Sequence, residues 1–191
     1  MVPAKRVVFV CAANRVRSVA AEHLFRNLLK EIPLSHPIEV RSAGFPSSEF
    51  LKKAKEMRLL DGPRSKPFFG WPPDPGLIEA LREWGIEVSS YRSRRFGEED
   101  LRADLIVTLD EKLGREIRRI YPEAKEKVIS LGELAGDEED IADPVALHGP
   151  YDPPGRTPYD LGPEVFKPCI RKIEEKLRRA LPEILRRLRI S

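Results

Sequence analysis

Cys11 and Arg17 bracket the stretch "AANRV", with Ser18 directly after Arg17 and no acidic side chain between. The stretch spells C-x5-R-S. A thiol, an amide, a guanidinium and a hydroxyl so close together suit the handling of a phosphate ester. Backbone N–H groups of a tight loop converge on the anion, and the positive end of a following helix adds to them. Arg17 offers a planar fork to two phosphate oxygens. The same field favours the ionised form of a thiol placed in it, which is the form that attacks phosphorus. A carboxylate in the loop would repel both thiolate and phosphate, so the absence of acid fits the chemistry.

Spacing alone does not establish this. A lone cysteine closing a buried strand is ordinarily a small core hydrophobe, and C-x5-R arises easily in an arginine-rich chain. The elements on either side carry the argument. Residues 6–11 are short, β-branched and uninterrupted, which predicts a buried strand. Val19, Ala20, Leu24, Phe25, Leu28 and Leu29 recur at helical spacing, which predicts a helix over 18–32 with Ser18 as its cap. Strand, loop and helix in that order would hold Cys11 at the mouth of a phosphate cradle.

The same alternation continues. Residues 37–44, 104–109 and 127–134 are predicted strands; 75–86 and 111–122 are predicted helices, with Pro75 in a first turn and Gly85 as a stop. A long helix is predicted at the C-terminus, bent or restarted near Pro168 and Pro182. The pattern predicts an α/β fold: three layers, α/β/α, around a parallel sheet of about four strands. Ligands of such sheets bind beyond the carboxyl ends of the strands, and Cys11 lies at one. Two stretches break the rhythm. Residues 46–74 begin with a short amphipathic helix and continue as a Pro/Gly-rich loop; 143–163 are a proline-rich loop without periodicity.

The 191 residues predict one domain over 1–191, with insertions at about 46–71 and 145–163. Lys and Arg total 34 and Asp and Glu 31, so a net charge of +3 gives no reason to expect nucleic acid as a partner. Many charges, no Gln and only Asn14 and Asn27 resemble a thermophile's composition, and Asn14 stands out as an amide retained in a loop. Two cysteines, Cys11 and Cys169, make no secreted disulfide framework, and no apolar run is long enough to span a membrane. A cytoplasmic protein without membrane partners is the expectation. His23, His36 and His148 form no ligand cluster, so no metal is expected, and no cofactor. Trp71 and Trp84 read as packing residues, although Phe68, Phe69 and Trp71 are placed to line a cleft.

The sequence resembles the low-molecular-weight protein tyrosine phosphatase family, in which a strand runs into C-x-x-N-x-C-R-S. "CAANRVRS" matches at Cys11, Asn14, Arg17 and Ser18. "RSAG" at 41–44, residues 72–110, "YPEAKEKVISLGEL" at 121–134 and Asp143-Pro144 follow the family's course in order. The resemblance implies a metal-independent phosphatase acting on phosphorylated protein. It implies that Cys11 is a nucleophile forming a thiophosphate intermediate, that Arg17 binds the transferring group, and that Asp143 is the general acid and then the base. Ala12, Ala13, Asn14, Arg15 and Val16 would be the phosphate loop. Asn14 would hold its backbone with Ser42 beside it, and Ser18 would donate to the thiolate.

The departures from the pattern bear on substrate. Val16 replaces a second cysteine, Ala13 a frequent glycine, and Arg15 an Ile or, among arginine phosphatases, a Thr. Val145 and Ala146 stand where two aromatics commonly follow the aspartate-proline; Tyr151 or Tyr159 would have to supply a ring instead. Phosphotyrosine is the leading substrate and phosphoarginine the alternative. A thioredoxin-coupled arsenate reductase would need two further cysteines, and residues 12–168 have none. A non-catalytic phosphate-binding module is the remaining rival, against which the Cys11, Arg17 and Asp143 set argues. Asp152-Pro153 competes with Asp143-Pro144 for the acid, but Asp143 follows the apolar Ile141-Ala142 and is better anchored.

Overall fold

The computed structural model describes residues 3–56, 69–147 and 161–190. In chain order its elements are β1 (Lys5–Cys11), α1 (Arg17–Leu29), β2 (Ile38–Gly44), α2 (Ser48–Glu56), α3 (Pro75–Arg82), α4 (Glu98–Leu101), β3 (Leu105–Thr108), α5 (Glu111–Ile120), β4 (Val128–Ser130), α6 (Leu131–Ala135), α7 (Pro144–Leu147) and α8 (Lys167–Leu188). The four strands are parallel, in the order β2-β1-β3-β4. Successive side chains of a strand point to opposite faces. Val7, Phe9 and Val107 therefore pack with α1, α3, α6 and α8, while Val8, Val10 and Ile106 pack with α5. The result is the expected three-layer arrangement.

The winding reverses at β1, since β2 lies on one side of it and β3 on the other. A crevice opens beyond the carboxyl ends of strands at such a point. Cys11 ends β1 there, and Leu109 and Asp110 follow β3 there.

Several boundaries differ from expectation. The strand predicted over 127–134 ends at Ser130, because Ser130 Oγ accepts the Glu133 N–H at 3.1 Å and starts α6. Ser-x-x-Glu is a helix-start signal that the apolar residues of "KVISLGEL" obscured. The first helix runs over Arg17–Leu29, not 18–32, and Ser18 does not cap it. Its hydroxyl turns instead to Cys11 Sγ, 3.0 Å away. The C-terminal helix is unbroken: Pro168 sits in its first turn, where a missing N–H costs nothing, and it passes through Pro182. The short helix expected near 46 is α2, and the stretch after 143 begins with α7. Phe68, His148, Tyr151, Asp152 and Tyr159 lie outside the described residues. Among the described residues no helix is long and apolar enough to cross a membrane.

Candidate active site

The loop between β1 and α1 turns sharply enough that Asn14 takes a left-handed backbone, φ 53°. Asparagine tolerates that conformation better than most residues. Its buried amide fixes the turn. Asn14 Nδ2 donates to Ser18 Oγ at 2.9 Å and to Ser42 Oγ at 3.0 Å. Its Oδ1 accepts from the Tyr91 hydroxyl and from the Arg94 N–H, both at 2.9 Å. All four hydrogen-bonding positions of this amide are thereby used. Ser42 in turn donates to Glu22 Oε2 at 2.5 Å, and Glu22 pairs with Arg26. Burial, and the Glu22 charge after it, push the Tyr91 phenol up to about 12, so it remains a donor.

The Cys11 Sγ and Ser18 Oγ are 3.0 Å apart. Because Ser18 Oγ accepts from Asn14, its own hydrogen is available to a thiolate. Arg17 is buried at the first position of α1. Its Nη1 donates to Ile141 O at 2.9 Å and to Asp110 Oδ2 at 3.2 Å, and its Nη2 lies 3.8 Å from Asp143 Oδ2. Burial opposes the Arg17 charge, but Asp143, Cys11 and Asp110 outweigh it and raise the pKa above its ordinary value. Asp143 also accepts the Val145 N–H at 3.0 Å, which orients its carboxylate at the start of α7.

Ala12 and Ala13 are half-buried and Val16 is buried, so the loop backbone is packed along its length. Gly44, which pairs with Cys11 in the sheet, approaches this backbone closely. A Cβ there would stand 3.0 Å from Ala12 O and 2.7 Å from the Phe69 ring. On the other flank Arg15 Nε donates to Pro72 O at 3.0 Å, and the Asp74 N–H donates to Arg15 O at 3.2 Å. Residues 69–74 thus form one wall of the cradle, with Phe69 as an aromatic surface beside it. Asp74 caps α3 by accepting the Gly76 N–H at 3.1 Å, and burial pushes its carboxyl up to about 6.

All ten residues singled out in the sequence therefore lie at or beside one crevice. Ser42 reaches it through Asn14. Sequence reasoning missed five participants: Asp110, Glu22, Tyr91, Asp74 and the Ile141 carbonyl. Asp110 had a legible signal, a carboxylate directly after a predicted strand at the carboxyl edge of a parallel sheet. Glu22 lies one turn beyond Ser18, and nothing in its spacing sets it apart from other charged helix residues. Asp74 also had a legible signal, an aspartate directly before Pro75 at a predicted helix start, whereas Tyr91 carried none.

Cys169 is also near this crevice, with Sγ 4.0 Å from Ala142 O. Burial, against the opposing effect of Arg17, pushes its thiol up to about 12. A thiol held protonated in this way is poorly suited to nucleophilic work.

Comparison with known proteins agrees with the geometry. The chain matches the model of the low molecular weight phosphotyrosine protein phosphatase family over residues 6–59 and 69–189. It is 30% identical over 141 residues to a probable low molecular weight protein-tyrosine-phosphatase, EpsP, of Ralstonia nicotianae, covering 73% of this chain and 78% of that one. The crystal structure of a low molecular weight protein tyrosine phosphatase from T. tengcongensis superposes with a TM-score of 0.68 at 26% identity, covering 94% of this chain and 99% of that one. The YwlE arginine phosphatase from Geobacillus stearothermophilus superposes with a TM-score of 0.66 at 26% identity, covering 95% and 93%. With a strand-borne thiol, its arginine and its aspartate in one crevice and the family's model matched along most of its length, this chain belongs to the low molecular weight phosphotyrosine protein phosphatase family.

Proposed function

We propose that this protein is a cysteine-dependent phosphatase that hydrolyses phosphomonoesters on phosphorylated proteins, with phosphotyrosine the preferred side chain. The observation that carries this reading is the grouping of the Cys11 thiol, 3.0 Å from the Ser18 hydroxyl, with an Arg17 guanidinium that lies 3.8 Å from Asp143. The Cys11 thiolate attacks phosphorus while the bond from phosphorus to the leaving oxygen breaks. Asp143, protonated, gives its proton to that oxygen. Arg17 and the loop N–H groups hold the three remaining phosphoryl oxygens as charge spreads over them. Ser18 stabilises Cys11 both as attacking and as departing sulfur. In the second half Asp143, now a carboxylate, takes a proton from water, and that water attacks the thiophosphate. The phosphorus–sulfur bond breaks, inorganic phosphate leaves and the thiolate is restored.

Asp110 and the Ile141 carbonyl hold the guanidinium at Nη1, leaving Nη2 and Nε for phosphate. Phe69 supplies an apolar surface against which a substrate ring can rest, which supports phosphotyrosine. The similarity to an arginine phosphatase keeps phosphoarginine as the second reading. Arg15 weighs against it, since its charge would face a guanidinium-bearing substrate. Nothing in this mechanism calls for a metal or cofactor. A cytoplasmic location belongs to the same proposal and rests on a thiol that must stay reduced to act. Initial rates on matched phosphotyrosine, phosphoarginine and phosphoserine peptides test the reading. The expected order has phosphotyrosine first; faster turnover of phosphoarginine would replace it with the second reading.

A further inference from the structure

Lys176 interrupts the apolar stripe of α8. It lies one turn from Ile173 and from Ala180, both buried, and is itself only 1% exposed. A buried ammonium is tolerated only where it is paired. Its Nζ is bonded to Asp137 Oδ1 and lies 3.7 Å from Glu139 Oε2. Both carboxylates belong to the turn after α6, which leads into Asp143. No step of the chemistry above uses Lys176.

That turn is fixed at both ends. Gly136 is left-handed, φ 80°, and the N–H groups of Asp137 and Glu138 both reach Gly132 O at 3.2 Å. Gly132 has to lack a side chain, because a Cβ would stand 2.5 Å from Glu139 O. Asp137 Oδ1 also accepts the Glu139 N–H at 3.0 Å, so the lysine grips the turn's backbone through one carboxylate. The Lys176 bond, and the Glu139 N–H after it, hold the Asp137 carboxyl well below the usual range. At the far end the Ile141 N–H donates to Leu109 O at 2.9 Å, and Ile141 O accepts from Arg17 at 2.9 Å. Asp143 follows two residues later.

We propose that Lys176 is a positioning residue for proton transfer in the active site. Its charge is the buried member of three α8 cations on the turn of residues 136–142, with the more exposed Arg179 on Asp137 and Lys172 on Glu139. It locks the inner side of that turn onto α8, and so sets where the Asp143 carboxylate stands relative to Arg17. A methionine or leucine at 176 would fill the same stripe; only the turn uses the charge. The inference rests on the reading of Asp143 as the general acid.

The test compares phenyl phosphate, a poor leaving group, with p-nitrophenyl phosphate, a good one, in wild type, Lys176→Met, Asp143→Asn and the double variant. Lys176→Met is expected to lower kcat/KM, which reports only the step in which the leaving group departs, by roughly 10- to 100-fold on phenyl phosphate, the scale of a catalytic group displaced by about 1 Å, and to lower it much less on p-nitrophenyl phosphate. In the Asp143→Asn background it should add no further leaving-group dependence. The rate of Cys11 alkylation by iodoacetate should be unchanged. Equal slowing on both substrates, or a full additional loss in the double variant, would overturn the proposal while leaving Asp143 as the acid. If Asp143→Asn itself shows no leaving-group dependence, the acid assignment fails and the inference with it. Should Lys176→Met not fold by circular dichroism, Asp137→Ala makes the same test from the other end. It leaves Glu139 as counter-ion and is held to the same outcomes.

Discussion

Arg17 and Asp143 face each other beyond the carboxyl end of the sheet, with Nη2 and Oδ2 3.8 Å apart. One opens α1 and the other directly precedes α7, so the pair exists only in the folded chain. At that distance the carboxylate is attracted to the guanidinium without being tied up by it. It stays available to an oxygen held in the cradle.

Replacing Asp143 by Asn removes the proton donor and keeps the Val145 cap. The kcat/KM for phenyl phosphate, which reports leaving-group departure alone, should fall by roughly 10²–10⁴-fold, the usual contribution of general acid catalysis. The loss should shrink for p-nitrophenyl phosphate, whose leaving group needs less protonation. Asp152→Asn should leave both rates nearly unchanged. A leaving-group-dependent loss in Asp152→Asn and not in Asp143→Asn would reverse the assignment.

Asn14 combines a left-handed backbone with four hydrogen bonds, and two variants separate these contributions. Asn14→Ala and Asn14→Gly lose the same side-chain bonds. Only glycine adopts φ 53° without strain. The glycine variant should therefore be more stable by about 1–2 kcal/mol in urea unfolding, and keep the higher kcat/KM. Equal stabilities would mean that the turn relaxes once the amide is gone.

The two thiols should differ in reactivity. Cys11 lies against Ser18 and Arg17, whereas burial pushes Cys169 up to about 12. Iodoacetate at pH 6 should label Cys11 much faster, and inorganic phosphate should slow that labelling. Equal labelling without protection would remove Cys11 from the anion site.

Asp74 carries a pH dependence of known sign. Burial raises its carboxyl from 3.8 to about 6. Between those values the folded protein holds a proton that the unfolded chain has released, so this group's contribution to stability falls as pH rises through the window. Asp74→Asn keeps an oxygen to cap α3 and removes the buried charge. It should be more stable than wild type at pH 7.5, by up to about 3 kcal/mol, with the difference gone by pH 4. A destabilised Asn variant at pH 7.5 would show that the charged cap is better served than its burial suggests.

Much of this architecture was legible from period alone. The β-branched run before Cys11 and the helical spacing after Ser18 fixed the cradle, and the alternation of elements fixed the layers. What periodicity could not separate was the use of one polar side chain from another. Ser18 and Ser130 look alike as helix-start residues, yet Ser130 caps α6 while Ser18 turns to the Cys11 sulfur. Tyr91 and Glu22 reach Asn14 and Ser42 through tertiary packing, which leaves no trace in local spacing. Lys176 sits on an apolar stripe and reads there as an interruption until its partner at Asp137 is seen.

Cys11 Sγ is the atom expected to accept the phosphoryl group. The direct measurement is peptide mass spectrometry of Asp143→Asn mixed with p-nitrophenyl phosphate and quenched within one turnover at alkaline pH. Asp143→Asn suits this because water attack on the intermediate also needs that carboxylate as base. A single phosphoryl adduct is expected on the peptide containing Cys11, absent in Cys11→Ala. Turnover with no adduct there, or turnover that survives Cys11→Ala, would contradict that role of Cys11.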